Sequence, residues 1–198
     1  MIEYFSGKLV EKNPAYVILE QNGTGYLINI SLNTFSSIKD LDEAKLYVHL
    51  TFKIEATTPT GIVVYGFFDQ AERSLFRMLI SVSGVGSSTA MRMLSSLSYQ
   101  KITETIRAGE LATLKGIKGI GNKTAQRIIV ELQDKIGKEA LAPEFLGWAH
   151  NTQKEEALIG LTTLGFGKHA SEKALNSILK KNPNLSVEEL IKEALKIL

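Results

Sequence analysis

A fifteen-residue pattern occurs twice in this chain and restricts its possible folds more than any other feature. Residues 79–93 read Leu79-Ile-Ser-Val82-Ser-Gly84-Val85-Gly86-Ser87-Ser88-Thr89-Ala90-Met-Arg92-Met93. Residues 114–128 read Leu114-Lys-Gly-Ile117-Lys118-Gly119-Ile120-Gly121-Asn122-Lys123-Thr124-Ala125-Gln-Arg127-Ile128. Both hold Gly-apolar-Gly, then three polar residues, then Ala. When one copy is laid on the other, apolar residues coincide at 79/114, 82/117, 85/120, 90/125 and 93/128. A chain that repeats its apolar positions this closely is expected to repeat the local fold that buries them.

The local physics favours a helix, a tight turn and a second helix. The apolar residue between the glycines can anchor the turn in a core. The glycines permit positive φ and close approach of another backbone. On this expectation Gly86 and Gly121 should resist replacement by Val, whose branched Cβ avoids positive φ. The second helices should start at Ser87 and Asn122, both good N-cap types. The N–H groups there point outward from a helix N-terminus and suit an anion such as phosphate. The pattern therefore reads as a duplicated helix–hairpin–helix, against the plainer alternative of two Gly-containing interhelix turns. The expected phosphate-binding set is Gly84, Val85, Gly86, Ser87 and Ser88 in the first hairpin. In the second it is Lys118, Gly119, Ile120, Gly121, Asn122, Lys123, Thr124 and Arg127.

Charge distribution agrees with that reading. The net charge of the chain is only +2, but residues 1–65 are net −2, residues 66–142 net +4 and residues 143–198 neutral. The excess lies on the segment that carries the repeat, where a nucleic-acid backbone would need it, although a solvated helical surface could also hold it. Zero cysteines exclude disulfides and Cys-ligated metals, and three scattered histidines show no metal-ligand spacing. No metal or cofactor is expected. No apolar run is long enough to span a bilayer and the N-terminus does not read as a signal peptide, so no membrane association and a cytoplasmic location are expected.

Around the repeat the chain divides into segments. Residues 1–64 read as about five short strands, with Asn22-Gly23 as a hairpin signal, and suit a small OB-fold barrel. A long turn is expected from Glu55 to Gly61. Residues 65–142 read as an all-α domain with helices near 72–80, 88–96, 99–108, 110–115 and 123–137. Residues 143–152 read as a linker, in which Phe145, Leu146 and Trp148 are unusual. Residues 153–198 read as a three-helix bundle, with a capping box at Ser186 to Glu189 opening the last helix. The fold class is thus α+β multidomain. An apolar edge of Leu161, Leu164 and Phe166 is either the core of this small bundle or, in part, a docking surface for another protein.

Catalytic arrangements are not apparent. The segment from Gly116 to Thr124 approaches a P-loop but lacks Gly-Lys-Ser/Thr, because Asn122 intervenes. Two rivals to a simple DNA-backbone binder stay open. One is a helix–hairpin–helix glycosylase or lyase, with Asp134 and Lys138 as its candidate groups, although both also read as helix-end charges. The other is a general single-strand-binding OB protein, which would want a basic groove that residues 1–65 lack.

In the order of its segments, and in Tyr65-Gly66-Phe67, Glu72-Arg73-Ser-Leu-Phe76, Gly84-Val85-Gly86, Gly119-Ile120-Gly121-Asn-Lys123-Thr124-Ala125-Gln-Arg127, Val130-Glu131-Leu132 and Leu164-Gly165-Phe166, the chain resembles the RuvA family over its full length. These are the Holliday-junction-binding subunits of the bacterial branch-migration complex, acting in recombination and repair. The resemblance implies a homotetramer, or two tetramers face to face, that holds a four-way junction without catalysing a reaction. It also implies that the C-terminal bundle binds the RuvB motor, which hydrolyses ATP, and that the RuvC resolvase is a further partner. Two departures stand out. Ser87 and Ser88 replace a family lysine in the first hairpin, and Asn122 replaces one in the second. The family's acidic pin, two adjacent carboxylates on a barrel hairpin, is reduced here to Glu55.

Overall fold

The computed structural model describes residues 2–55, 58–139, 153–182 and 185–198. The chain forms two separate units, Met1–Phe145 and Leu146–Leu198. The expected linker at 143–152 lies outside the described residues, as do Phe145, Leu146 and Trp148.

Five strands open the first unit: β1 (Tyr4–Asn13), β2 (Tyr16–Gln21), β3 (Thr24–Ile30), β4 (Glu43–Glu55) and β5 (Thr58–Phe67). They close into a barrel in the order β1-β2-β3-β5-β4. Only the β3–β5 pair is parallel; the sequential neighbours pair antiparallel. The β2–β3 turn places Asn22 and Gly23 at φ 51° and 77°, the two positive values that a two-residue hairpin turn needs. Alternation along the strands sends Val17, Leu19, Ile28, Ile30, Leu46 and Val48 inward to a closed core.

Two features of the barrel depart from expectation. A short helix, α1 (Leu32–Ile38), follows β3. Its signal is Ser31, an N-cap whose hydroxyl accepts from the Thr34 N–H. The second departure is the turn expected from Glu55 to Gly61, which is mostly strand. β4 and β5 pair as far as Glu55 with Thr58, leaving two residues between the paired ends. The register slips between Lys53 and Ile54, so that Gly61 faces Lys53 and Pro59 faces Ile54. A bulge of this kind is where a strand tolerates a proline, which has no N–H to give.

Helices α2 (Gln70–Ser81), α3 (Ser87–Ser96), α4 (Tyr99–Ala108), α5 (Leu111–Lys115) and α6 (Asn122–Glu139) complete this unit. Asp69 caps α2 by accepting from the Ala71 N–H, and Gly109 ends α4 in the left-handed conformation at φ 69°. One core runs through all five helices, from Leu75, Phe76 and Leu79 to Ile128, Leu132 and Ile136, and it includes Phe67 at the end of β5.

Buried polar contacts tie this helical layer to the barrel. The Glu72 carboxylate on α2 accepts from Ser31 Oγ at 2.5 Å and Thr34 Oγ1 at 2.7 Å. Burial pushes the Glu72 carboxyl above the usual carboxylate range, partly offset by those two hydroxyls. Arg73, buried beside it, donates to the Glu3 carboxylate at 2.6 Å and holds that carboxyl below its ordinary value. Asn33 on α1 donates to the carbonyls of Leu94 and Leu97 at the end of α3. The helix that follows the first hairpin is thereby fastened to the barrel at its far end.

The second unit holds α7 (Gln153–Thr163), α8 (Lys168–Lys181) and α9 (Val187–Leu195). Its core is small: Ala157, Leu161, Ala174, Leu175, Ile178, Leu190 and Ala194. The Ser186–Glu189 capping box forms as expected. The expected apolar edge divides. Leu161 is fully buried, so it is a core residue and offers nothing to a partner; Leu164 is 61% exposed, and Phe166 packs partly against the core.

Candidate nucleic-acid interface

The two copies of the repeat make the same backbone hydrogen bonds through their turns. The first is α2, a turn and α3; the second is α5, a turn and α6. In one turn the Val82 N–H donates to Leu79 O and the Val85 N–H to Val82 O; in the other the Ile117 N–H donates to Leu114 O and the Ile120 N–H to Ile117 O. Ala90 and Ala125 donate to Gly86 O and Gly121 O. Every matched apolar pair is buried: Leu79 with Leu114, Val82 with Ile117, Val85 with Ile120, Ala90 with Ala125, and Met93 with Ile128. Truncating Leu79 or Leu114 to Ala would remove about 2–5 kcal/mol of packing.

The glycines divide their work differently from expectation. Positive φ belongs to the first glycine of each pair, +87° at Gly84 and +90° at Gly119. The second glycine does not need it: Gly86 sits at φ −86°, ψ 169°, extended backbone open to any residue. No atom lies within 4 Å of where a Cβ on Gly86 or Gly121 would project. Gly86, rather than Ser87, is the N-cap of α3, and it has no side chain to accept from the first turn. Asn122 likewise stands inside α6 as its first residue. A glycine cap leaves first-turn N–H groups without a side-chain acceptor and leaves open space in front of them.

Of the expected residues, Gly84, Gly86, Ser88, Lys118, Gly119, Gly121, Asn122, Lys123 and Arg127 are exposed, and Ser87 and Thr124 are half-buried. Val85 and Ile120 point into the core, so only their backbone could meet a ligand. Lys118 and Lys123 put two cations on the second hairpin, whereas the first has hydroxyls at the matching positions Ser83 and Ser88. Arg127 reaches across to the other hairpin. Its Nη1 donates to Ser83 O at 2.9 Å and Ser83 Oγ at 3.1 Å, and its Nε lies 4.0 Å from Glu131.

Arg92, which sequence reasoning did not single out, makes the reciprocal crossing. A Cβ on Gly119 would lie 2.6 Å from Arg92 Nη1 and 3.1 Å from Nη2. The signal was present, since Arg92 occupies in the first copy the place of Arg127 in the second. Glu55 ends β4 opposite Thr58; its side chain lies outside the described residues. Asp134 is an exposed residue of α6, and no helix among the described residues is long and apolar enough to cross a membrane.

Comparison with known proteins covers the chain in three pieces. Residues 1–58 match the RuvA N terminal domain, residues 76–134 the SAM-like helix-hairpin-helix tandem, and residues 152–198 the RuvA C-terminal domain. A "Holliday junction branch migration complex subunit RuvA" of Christiangramia forsetii is 48% identical over 196 residues, 99% of each chain. Proteins of the same name from Bacteroides fragilis and Cytophaga hutchinsonii are 45% and 43% identical, over 99% and 100% of each chain. Full-length identity at this level, joined to a barrel and a tandem of hairpins that repeat each other's hydrogen bonds, places the chain in the RuvA family.

Proposed function

We propose that this protein binds the sugar-phosphate backbone of four-way DNA junctions through its two hairpins and acts, without catalysing a reaction itself, as the junction-binding subunit of a branch-migration complex. The observation that carries the proposal is the pair of matched turns. Each offers first-turn N–H groups and open space before a glycine, and the second sets Lys118 and Lys123 beside them. Contacts of this kind are made to phosphate, which carries no base identity, so affinity depends on backbone shape and salt rather than on sequence. The names borne by the relatives support the junction as the target and a larger complex as the setting.

The remaining assignments follow from the same reading. The protein works in the cytoplasm as a homotetramer, so that four copies of the hairpin pair meet the four arms, with a second tetramer able to close on the other face. The C-terminal bundle docks a RuvB-type ATPase motor, using exposed Leu164 and the outer edge of Phe166. Glu55 supplies an acidic pin, and a RuvC-type resolvase is a further partner.

Competition between labelled junction, duplex and single-strand DNA of matched length tests the core of the proposal. Junction should win at every sequence, with a steep salt dependence. Preference for single strands would favour the general OB-protein reading, and strand cleavage at a damaged base would favour the glycosylase reading. A chain ending at Leu141 should keep junction binding and lose stimulation of the motor's branch migration. Equal stimulation by the two forms would sink the docking assignment.

A further inference from the structure

The two arginines that cross between the hairpins are placed alike but are not equally engaged. Arg127 has Ser83 O and Oγ as acceptors and Glu131 one turn further along the helix. Its Nη1 thus has two acceptors within the protein, and its charge has an acidic neighbour at 4.0 Å. Arg92 lands on Gly119, beside Lys118, where the position equivalent to Ser83 offers an ammonium instead of a hydroxyl. Among the described residues its guanidinium makes one hydrogen bond, from Nη2 to Thr89 Oγ1 at 3.2 Å. The residue one turn beyond it is Ser96, whose hydroxyl donates to the Arg92 carbonyl and brings no negative charge. Among the described residues Arg92 has no acidic partner. A guanidinium carries five N–H donors in a flat fork that suits phosphate oxygens, so most of the donors here are unused.

We propose that Arg92 is a phosphate-binding residue of the second hairpin, contributed by the helix of the first, while Arg127 is a brace that fixes the spacing of the two turns. The inference rests on the backbone-binding reading given above. Its origin is the charge pattern. The first hairpin has Ser87 and Ser88 where a cation would attract DNA, so its own helix sends its cation across to Gly119. The second hairpin then holds Lys118, Lys123 and the Arg92 guanidinium around one exposed turn. Glycine at 119 suits the backbone φ of +90° and leaves the place of a side chain to the Arg92 guanidinium.

The test measures binding of a labelled four-way junction by the full-length protein at salt concentrations from about 50 to 200 mM, with melting temperatures in parallel. Arg92→Gln should weaken binding and flatten the salt slope by about 0.9 for each protomer engaged. For one contact, the gap to wild type then narrows about threefold across that fourfold rise in salt. Arg92→Lys should keep the slope, and neither change should move the melting temperature. Arg127→Gln should lower the melting temperature. Wild-type affinity and slope in Arg92→Gln would overturn the proposal. So would an affinity loss that ignores salt and comes with a lower melting temperature, since Arg92 would then be packing alone. Should the wild-type protein itself fail to prefer junction over duplex, the junction-binding reading falls instead.

Discussion

Replacing the hairpin glycines one at a time by Ala separates backbone strain from ligand access. At Gly84 the backbone is left-handed, with φ +87°, and the nearest atom to a new Cβ is Arg127 Nη1 at 3.7 Å, an ordinary contact. The cost is therefore conformational. Left-handed backbone costs an L-residue about 1–2 kcal/mol, and the narrower unfolded ensemble of Ala returns about 0.4–1 kcal/mol. The net is about 1 kcal/mol, or about 2–4 °C in melting temperature for a unit of this size. Gly119→Ala should cost about the same in stability, because its 2.6 Å conflict is with the far end of a flexible side chain that can swing away. It should lose more binding, since Arg92 is displaced. Gly86→Ala should leave stability nearly unchanged, as φ −86° is open to Ala and nothing lies within 4 Å, yet its methyl enters the space left for a phosphate. Thermal melts followed by circular dichroism, with junction binding by fluorescence anisotropy, read both effects. If Gly86→Ala lowers the melting temperature as much as Gly84→Ala, or if Gly84→Ala leaves it unmoved, the division of labour between the glycines is wrong.

Other perturbations act elsewhere. Because burial raises the folded-state pKa of Glu72, the folded state binds a proton more tightly than the unfolded chain does; the stability this contributes is full below the ordinary carboxylate range and is lost as pH rises through the raised value. Glu72→Gln should therefore flatten the fall of melting temperature above the ordinary carboxylate range, and an unaltered pH profile would count against a strained buried carboxylate. Lys123→Ala should weaken binding to all junction sequences alike and lower the salt slope by about 0.9 per protomer; a change in sequence preference would contradict backbone recognition. Glu55→Gln should raise affinity for plain duplex and narrow the preference for junctions, most visibly at low salt where repulsion is least screened, and an unchanged ratio there would leave selectivity to the hairpins alone.

Much of the fold was legible because its signals are local. Asn22-Gly23 specified a hairpin turn, Ser186 with Glu189 specified a helix start, and the offset between the repeats specified five buried pairs. Signals that depend on the rest of the molecule were harder to read. Helix α1 escaped because its apolar positions, Leu32, Phe35 and Ile38, span less than two turns, too few for periodicity to register; Ser31, Asn33 and Thr34 also hold it through groups on α2 and α3. The long turn at Glu55 was misjudged because Thr-Pro-Thr-Gly looks like loop chemistry, and a bulge lets strand continue through it. Leu161 and Leu164 look equivalent in sequence, yet Leu161 lies inside α7 and is buried, whereas Leu164 follows the end of that helix and is exposed. The glycines were recognised as a set, but which of them carries positive φ is decided by the turn's own hydrogen bonds.

The exchange of arginines has its cause in the duplication. Once the helix of the second copy reaches the turn of the first, the matching helix of the first is set to reach the turn of the second, as in a contact between identical subunits. Identical copies would then make identical contacts, and each arginine would be equally satisfied. The two copies differ at the points where the arginines land and one turn beyond. The Ser83 hydroxyl accepts where the Lys118 ammonium cannot, and Glu131 offsets charge where Ser96 does not. Those two differences turn a symmetric pair of braces into one brace and one cation held out toward solvent. They also move the positive charge of the pair onto a single turn. A surface built in this way presents phosphate with unequal sites at a fixed separation, so one hairpin can lead the approach electrostatically while the other contributes short-range hydrogen bonds once the backbone arrives.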